Sequence, residues 1–94
     1  MIVTMNEKSR QAIVAERLME SAKNRLNYGC KTITLYSEGE ALVAYGECAR
    51  DMSWATGNRI EIDCAIDTCK FPKDMLDTFS PRLAKRGFKL CITD

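Results

Sequence analysis

The stretch NRIEIDCAIDTC, residues 58–69, decides how the fold is interpreted, because it can be either a strand or a site rich in acids and thiols. Its apolar side chains occupy the even positions: Ile60, Ile62, Cys64 and Ile66. Its charged side chains occupy the odd positions: Arg59, Glu61, Asp63 and Asp67. Alternation this regular is typical of a half-buried strand with one apolar and one solvated face. We therefore predict a strand in which Cys64 is a small core residue.

The composition is that of an ordinary folded domain. The chain has 94 residues, of which 46% are hydrophobic and 29% charged, and this predicts one α+β domain spanning residues 1–94. Fourteen Lys and Arg residues face 13 Asp and Glu residues, so the net charge is only +1. That balance argues against a protein that holds a polyanion by its overall charge.

The sequence predicts neither a signal peptide nor a membrane span. The first residues, MIVTMNEKSRQ, lack the basic and apolar segments of a signal peptide, and no apolar run approaches the roughly 20 residues of a membrane span. The five cysteines are an odd number, which fits reduced thiols better than a disulfide framework. We expect a cytoplasmic protein with no membrane partner, and the oligomeric state stays open.

The N-terminal part predicts a long helix. Thr4 to Glu7 fits a capping box, and Gly29 stands where a helix would stop. Apolar residues recur at steps of three and four and predict a stripe that faces the core: Ala15, Leu18, Met19, Ala22 and Leu26. Ile13 lies about 160° from the centre of this stripe and is expected to face outward.

The remaining segments predict mostly strands. KTITLYS (31–37) and EALVAYGEC (40–48) alternate and flank a turn at Gly39, which predicts a β-hairpin. CARDMSWATGN (48–58) is a loop or a short helical turn that Gly57 closes. A helix follows Pro72 and is either kinked at Pro81 or split in two, and FKLCITD (88–94) is the last strand. The order α-β-β-β-α-β predicts an α+β fold, with a four-stranded, mainly antiparallel sheet and both helices on one face.

The sequence gives little support to catalysis or metal binding. Without histidine, Ser-His and Cys-His arrangements are excluded, and no glycine-rich phosphate motif occurs. Glu61 and Asp63 share a strand face about 7 Å apart, but nothing in the sequence indicates the raised pKa of a general acid. The cysteines form no C-x-x-C pair: Cys30, Cys48, Cys64, Cys69 and Cys91. We predict no catalytic residue, no metal site and no cofactor.

The candidates for partner binding are two apolar sites and an acidic face. Trp54, with Met52 nearby, lies in the central segment, and Trp and Met are favoured at interfaces. Ile13 adds an outward apolar residue, and Glu61 and Asp63 add an acidic strand face. These features favour a non-enzymatic protein-interaction domain: a subunit of an assembly, or an inhibitor or adaptor of host machinery such as phages and mobile elements encode. Equally, Trp54 can fold back over the core edge.

The alternative function is a small nucleic-acid-binding module. Its candidate residues form a basic cluster at the end of the last predicted helix: Arg82, Lys85, Arg86 and Lys89. Such a cluster can contact phosphates, although basic residues also complement the dipole at a helix C-terminus. The sequence does not identify the partner in either case.

Overall fold

The computed structural model describes residues 5–93, with side chains from residue 10 onward, as three α-helices and five strands. The helices are α1 (Met5–Tyr28), α2 (Glu47–Thr56) and α3 (Leu76–Lys85), and a 3-10 turn at Lys73–Met75 precedes α3. The strands are β1 (Thr32–Glu38), β2 (Ala41–Tyr45), β3 (Ile60–Asp63), β4 (Ile66–Pro72) and β5 (Lys89–Thr93). Thr4, the first residue of the predicted capping box, lies outside the described residues.

The strands form one mixed sheet in the order β3-β4-β2-β1-β5. The β1–β2, β2–β4 and β3–β4 pairs are antiparallel, whereas β5 runs parallel to β1, with Thr32 beside Lys89. The prediction of an α+β fold with a mainly antiparallel sheet is confirmed. The predicted order α-β-β-β-α-β with four strands is wrong, because it lacks one helix and one strand.

The missing strand comes from residues 58–69, which form a hairpin rather than one strand. Cys64 and Ala65 have φ angles of 50° and 65°, the left-handed pair that a tight type I′ hairpin turn requires. The turn reverses the chain, so Asp63 pairs with Ile66. The even-numbered residues of β4 therefore lie on the opposite face of the sheet from the even-numbered residues of β3. The prediction of a buried Cys64 is therefore wrong: it is exposed at the turn. Ile62 is also exposed, at the outer strand of the sheet.

One face of the sheet carries the main apolar core, under α2 and α3. Ile33 and Leu35 of β1 and Phe71 of β4 lie in this core, and the Phe71 ring is 5.1 Å from the ring of Phe79 in α3. The segment for which a loop or a helical turn was expected is helix α2. It ends at Gly57, whose φ of 80° suits the left-handed C-terminal position.

Helix α1 covers the opposite face, so the expectation of both predicted helices on one face is wrong. Val14 is its buried apolar contact, and it packs on Tyr36, Val43 and Tyr45. Most of the predicted core stripe points away from the sheet: Ala15, Met19, Ala22 and Leu26 are exposed, whereas Leu18 is half-buried beside Gly46. The reason is chemical: the sheet presents hydroxyls and a carboxylate here, so α1 turns its arginines and polar groups toward them.

The junction between β2 and α2 brings Gly46 close to α1. Gly46 has a φ of 65°, and a Cβ at this position would lie 2.4 Å from Leu18 Cδ1. The positive φ is the reason that glycine is favoured here, and a larger residue would also require the Leu18 side chain to move.

Candidate functional site

The Trp54 surface, formed by Trp54, Ala55, Arg82, Lys85 and Arg86, is the strongest candidate for a binding site. The Trp54 side chain is 67% exposed on α2, and the Arg86 guanidinium lies 4.4 Å from the indole centroid. Arg82, Lys85 and Arg86 line a shallow depression with Ala55. Among the described residues that line it, none is acidic. The surface thus joins an exposed aromatic ring to three cations.

The helical repeat explains why these cations meet. Arg82 and Arg86 are four residues apart and Lys85 is three from Arg82, so all three lie on one side near the end of α3. Leu83 faces inward and is buried in the core. The Arg82 guanidinium lies 5.5 Å from the centroid of the buried Phe79 ring, at the outer edge of the main core.

The fourth predicted basic residue is elsewhere. Lys89 stands on β5 beside Thr32, on the sheet face that α1 covers, and its Nζ donates to the Tyr28 carbonyl at 3.4 Å. The basic cluster therefore contributes three of its four residues to the Trp54 surface.

The other predicted partner-binding residues do not join the Trp54 surface. Met52 is fully buried in the main core, so its placement on an interface was wrong. Ile13 is on α1, on the opposite side of the sheet, and is 38% exposed. Glu61 and Asp63 are on β3, and they face the α1 side of the sheet because they pair with Thr68 and Ile66.

Apart from the Trp54 surface, a cluster of charged and hydroxyl side chains connects α1 to the sheet. Arg10 Nε donates to Asp63 Oδ2 at 3.0 Å, and Arg10 Nη1 pairs with Glu38 Oε1 at 3.1 Å. Arg17 Nη1 pairs with Glu38 and donates to the Tyr45 hydroxyl at 3.0 Å. The Tyr45 hydroxyl in turn donates to Glu38. Every member of the cluster has a charged or hydroxyl partner.

The pKa shifts in this cluster favour the charged form of its two carboxylates, Glu38 and Asp63. The hydrogen bond from Arg10 is the main reason that the pKa of Asp63 is lowered. Burial pushes the pKa of Glu38 upward, but the hydrogen bonds from Tyr45 and Arg10 outweigh burial and the net shift is downward. A general acid needs the opposite shift. The geometry therefore suits a structural link between α1 and the sheet.

The cysteines are spread through the fold. Burial raises the pKa of the Cys69 thiol to about 11, and the Cys48 thiol donates to the Thr32 carbonyl at 3.5 Å. Within residues 5–93, no three His, Cys, Asp or Glu side chains gather in a way that could hold a metal ion. The two core thiols act as small apolar groups.

Comparison with known proteins supplies no relative from which a function could be transferred. No model of a known protein family matches the chain, and a search of curated proteins finds no similar sequence. Among the described helices, none has the length and apolar character needed to cross a membrane. The functional interpretation therefore depends on the surfaces described above.

Sequence reasoning treated Trp54 and the basic cluster as evidence for two different functions. It missed their proximity, because 32 positions separate Trp54 from Arg86 and only the packing of α2 on α3 brings them together. The helical spacing of Arg82, Lys85 and Arg86 was the available signal for the basic side of α3. No sequence signal indicated which residue faces it across the helix pair.

Proposed function

We propose that this domain is a non-enzymatic interaction module that binds an acidic segment of another protein at the Trp54 surface, as an inhibitor, an adaptor or a subunit of an assembly. The observation that carries the proposal is the exposed Trp54 ring stacked with Arg86 beside Arg82 and Lys85. Trp and Arg are the residues most enriched among the dominant contacts of protein interfaces. Three cations with no acid among them favour a partner that supplies carboxylates.

The dimensions of the surface also support a protein partner. From Arg82 to Arg86 the helix advances about 6 Å, since each residue adds about 1.5 Å. A strand of duplex DNA places a phosphate about every 3.4 Å, so the basic residues would reach only about two phosphates. A nucleic-acid groove usually follows the backbone over a longer path. A compact cationic site beside one aromatic ring suits one or two carboxylates and an apolar side chain.

A nucleic-acid-binding module is the second candidate, and one observation favours it. Arg86 lies over the Trp54 ring, and Arg82 and Lys85 line the depression at the neighbouring Ala55. Aromatic rings with Lys and Arg nearby are the elements with which proteins stack and hold single-stranded nucleic acid. Arg86 occupies one face of the ring, which leaves the other face for a base. This candidate predicts binding that weakens steeply with salt.

The single tryptophan makes the surface its own reporter, because every change in indole fluorescence comes from Trp54. The protein would be titrated with synthetic peptides in which Asp or Glu alternates with Leu or Phe, and in parallel with a dT oligonucleotide. We expect saturable fluorescence changes with an acidic peptide. Arg86→Ala should weaken this binding by about tenfold, the size of one well-placed interface contact. Arg59→Ala, an exposed arginine on the β3 side, is the matched control.

Two outcomes would count against the protein-binding proposal. The first is the absence of a fluorescence change with every acidic peptide. The second is preferential binding of the oligonucleotide, with a log–log salt slope near −0.7 for each phosphate contacted, which would select the nucleic-acid candidate.

We also propose that the domain works in a reducing compartment such as the cytoplasm. Cys48 and Cys69 are free thiols inside the core, and Cys30 is a free thiol on the surface. An oxidising compartment would expose such thiols to unwanted pairing. This proposal is compatible with either candidate function.

A further inference from the structure

The outer side of α1 is an apolar surface without a partner inside the described fold. Met19 is 72% exposed and Leu26 is 87% exposed, whereas Val14 and Ser21, on the sheet side of the helix, are 1% and 2% exposed. On this side of the helix, five exposed apolar residues follow one another at steps of three and four: Ala12, Ala15, Met19, Ala22 and Leu26. That spacing is the alternation of a and d positions in a coiled coil, and we call these five residues the α1 seam.

We propose that the α1 seam pairs with the α1 seam of a second copy of this chain, in antiparallel orientation. The best register places the two-fold axis between residues 20 and 21. Leu26 then lies opposite Ala15 of the partner subunit, and Met19 lies opposite Ala22 of the partner subunit. Each layer combines one large and one small side chain, so the layers fill evenly and the helices approach closely.

The charges beside the α1 seam support the same register. Glu16 and Lys23 occupy equivalent flanking positions two turns apart, and both are exposed. In the antiparallel pair, Glu16 faces Lys23 of the partner subunit, and the symmetry generates this ion pair twice. The side chains at these positions form no ion pair with any other described residue.

Parallel pairing of the same seam is a poorer fit. It would place Ala15 against Ala15 and Ala22 against Ala22, which leaves gaps between layers that hold two large residues. The flanking Glu16 and Lys23 would then face Gln11 and Leu18 of the partner subunit rather than opposite charges. Size complementarity and charge complementarity therefore both select the antiparallel pair.

The pairing uses a surface distinct from the site of the proposed function. The α1 seam and the Trp54 surface lie on opposite sides of the sheet, so a dimer keeps two Trp54 surfaces accessible. Two copies of one site on a rigid dimer can raise the apparent affinity for a repeated partner. A seam of one helix per protomer is small for a stable interface, so we expect an equilibrium that depends on concentration.

Sedimentation velocity over a range of protein concentrations, under reducing conditions, tests the pairing. We expect the wild-type protein to shift from monomer to dimer as concentration rises. Met19→Lys should raise the dimer dissociation constant by at least about tenfold, because it places a charge in the centre of an apolar seam. Ile62→Lys is the matched control, since Ile62 is 67% exposed on β3, away from α1. Circular dichroism would verify that each variant keeps its helices.

A charge exchange tests the orientation. Glu16→Lys and Lys23→Glu should each weaken the dimer by about tenfold, since each change makes two attractive pairs repulsive. The double variant Glu16→Lys/Lys23→Glu should restore dimerisation, because the exchanged charges again face each other. A protein that stays monomeric at every concentration would overturn the proposal. So would a dimer that is insensitive to Met19→Lys, or a double variant that fails to recover.

Discussion

The two faces of the sheet are covered by different chemistry. Under α2 and α3 the contacts are apolar, and residues such as Ile33 and Leu35 are completely buried. Under α1 a small apolar cluster around Val14 is joined by hydroxyl groups and charges, centred on Glu38 and Tyr45. An apolar layer depends on shape and volume, whereas a polar layer depends on every donor having an acceptor.

This difference explains the orientation of α1. Arg17 reaches between the two tyrosines of the polar face, with its guanidinium 4.9 Å from the Tyr36 centroid and 5.7 Å from the Tyr45 centroid. An arginine held by rings and a carboxylate occupies the place that a leucine would take on the other face. With Arg10 and Arg17 turned toward the polar face, most of the apolar stripe of the helix points outward. The composition of the sheet face thus creates the exposed α1 seam.

The largest expected effect comes from removing volume on the apolar face. Phe71→Ala should lower the free energy of unfolding by about 3–5 kcal/mol, because it leaves a cavity beside the Phe79 ring. Urea denaturation followed by circular dichroism measures the change. Ile62→Ala, on the same side of the sheet but 67% exposed, should cost less than about 0.5 kcal/mol. Equal losses in the two variants would show that the apolar face is not a tightly packed core.

A smaller and pH-dependent effect should come from the polar face. Glu38→Gln removes the charge that Arg10, Arg17 and Tyr45 share, and should cost about 1–3 kcal/mol at pH 7. The folded pKa of Glu38 is lower than its ordinary value of 4.5, so below about pH 4.5 the unfolded state binds more protons. The contribution of Glu38 is therefore lost as pH falls, and the stabilities of variant and wild type should converge.

Unfolding free energies at several pH values between neutral and acidic conditions give the measurement for Glu38. Glu40→Gln is the matched control, because Glu40 is exposed two residues along the same hairpin. We expect its stability curve to follow the wild type throughout. A difference between Glu38→Gln and wild type that persists unchanged at low pH would mean that Glu38 acts by packing rather than by charge.

The contrast between the faces also shows how far the sequence could predict the fold. Alternation in β1 correctly separated Ile33 and Leu35 from Thr34 and Tyr36, because period-two patterns report directly on strand faces. The same rule failed for residues 58–69, since it cannot detect a turn that leaves the alternation of side-chain types unbroken. Cys64 and Ala65 are not residues that normally mark a type I′ turn.

The orientation of helix α1 could not be predicted from the sequence either. Its apolar periodicity was real, but periodicity does not say which partner covers the apolar side. The orientation of α1 depends on the side chains of the strands beneath it, such as Tyr45 and Glu38. Predicting it therefore requires knowing on which face of the sheet α1 packs. Likewise, the Trp54 surface combines two features that the sequence showed separately, and only the packing of α2 on α3 joined them.

The smallest predicted effect on the free energy of unfolding concerns the turn at residues 64 and 65, which joins β3 to β4. Cys64 and Ala65 hold left-handed backbone angles, which cost L-residues with a Cβ about 1–2 kcal/mol each. Replacing them with the preferred pair, Cys64→Asn/Ala65→Gly, removes the cost at residue 65 and only part of it at residue 64, while the added glycine entropy of the unfolded chain offsets up to ~1 kcal/mol. We expect a net gain of about 1 kcal/mol in the free energy of unfolding, measured by urea denaturation. In the native protein the Cys64 side chain donates a hydrogen bond to Asp63. The introduced Asn amide keeps a donor at this position, so the link between Asp63 and Arg10 should survive.

Gly39→Ala provides the reciprocal test at the other hairpin. Gly39 has a φ of 59° and open space where a Cβ would lie, so the substitution should cost about 1 kcal/mol through backbone conformation alone. A higher free energy of unfolding for Cys64→Asn/Ala65→Gly and a lower one for Gly39→Ala would establish that residues 64 and 65 keep their left-handed conformation in solution. If Cys64→Asn/Ala65→Gly instead destabilises the protein, the cysteine and alanine side chains must contribute packing that exceeds the strain. The pairing register of β3 and β4, which decides the face on which each residue lies, would then depend on those contacts and not on the turn geometry.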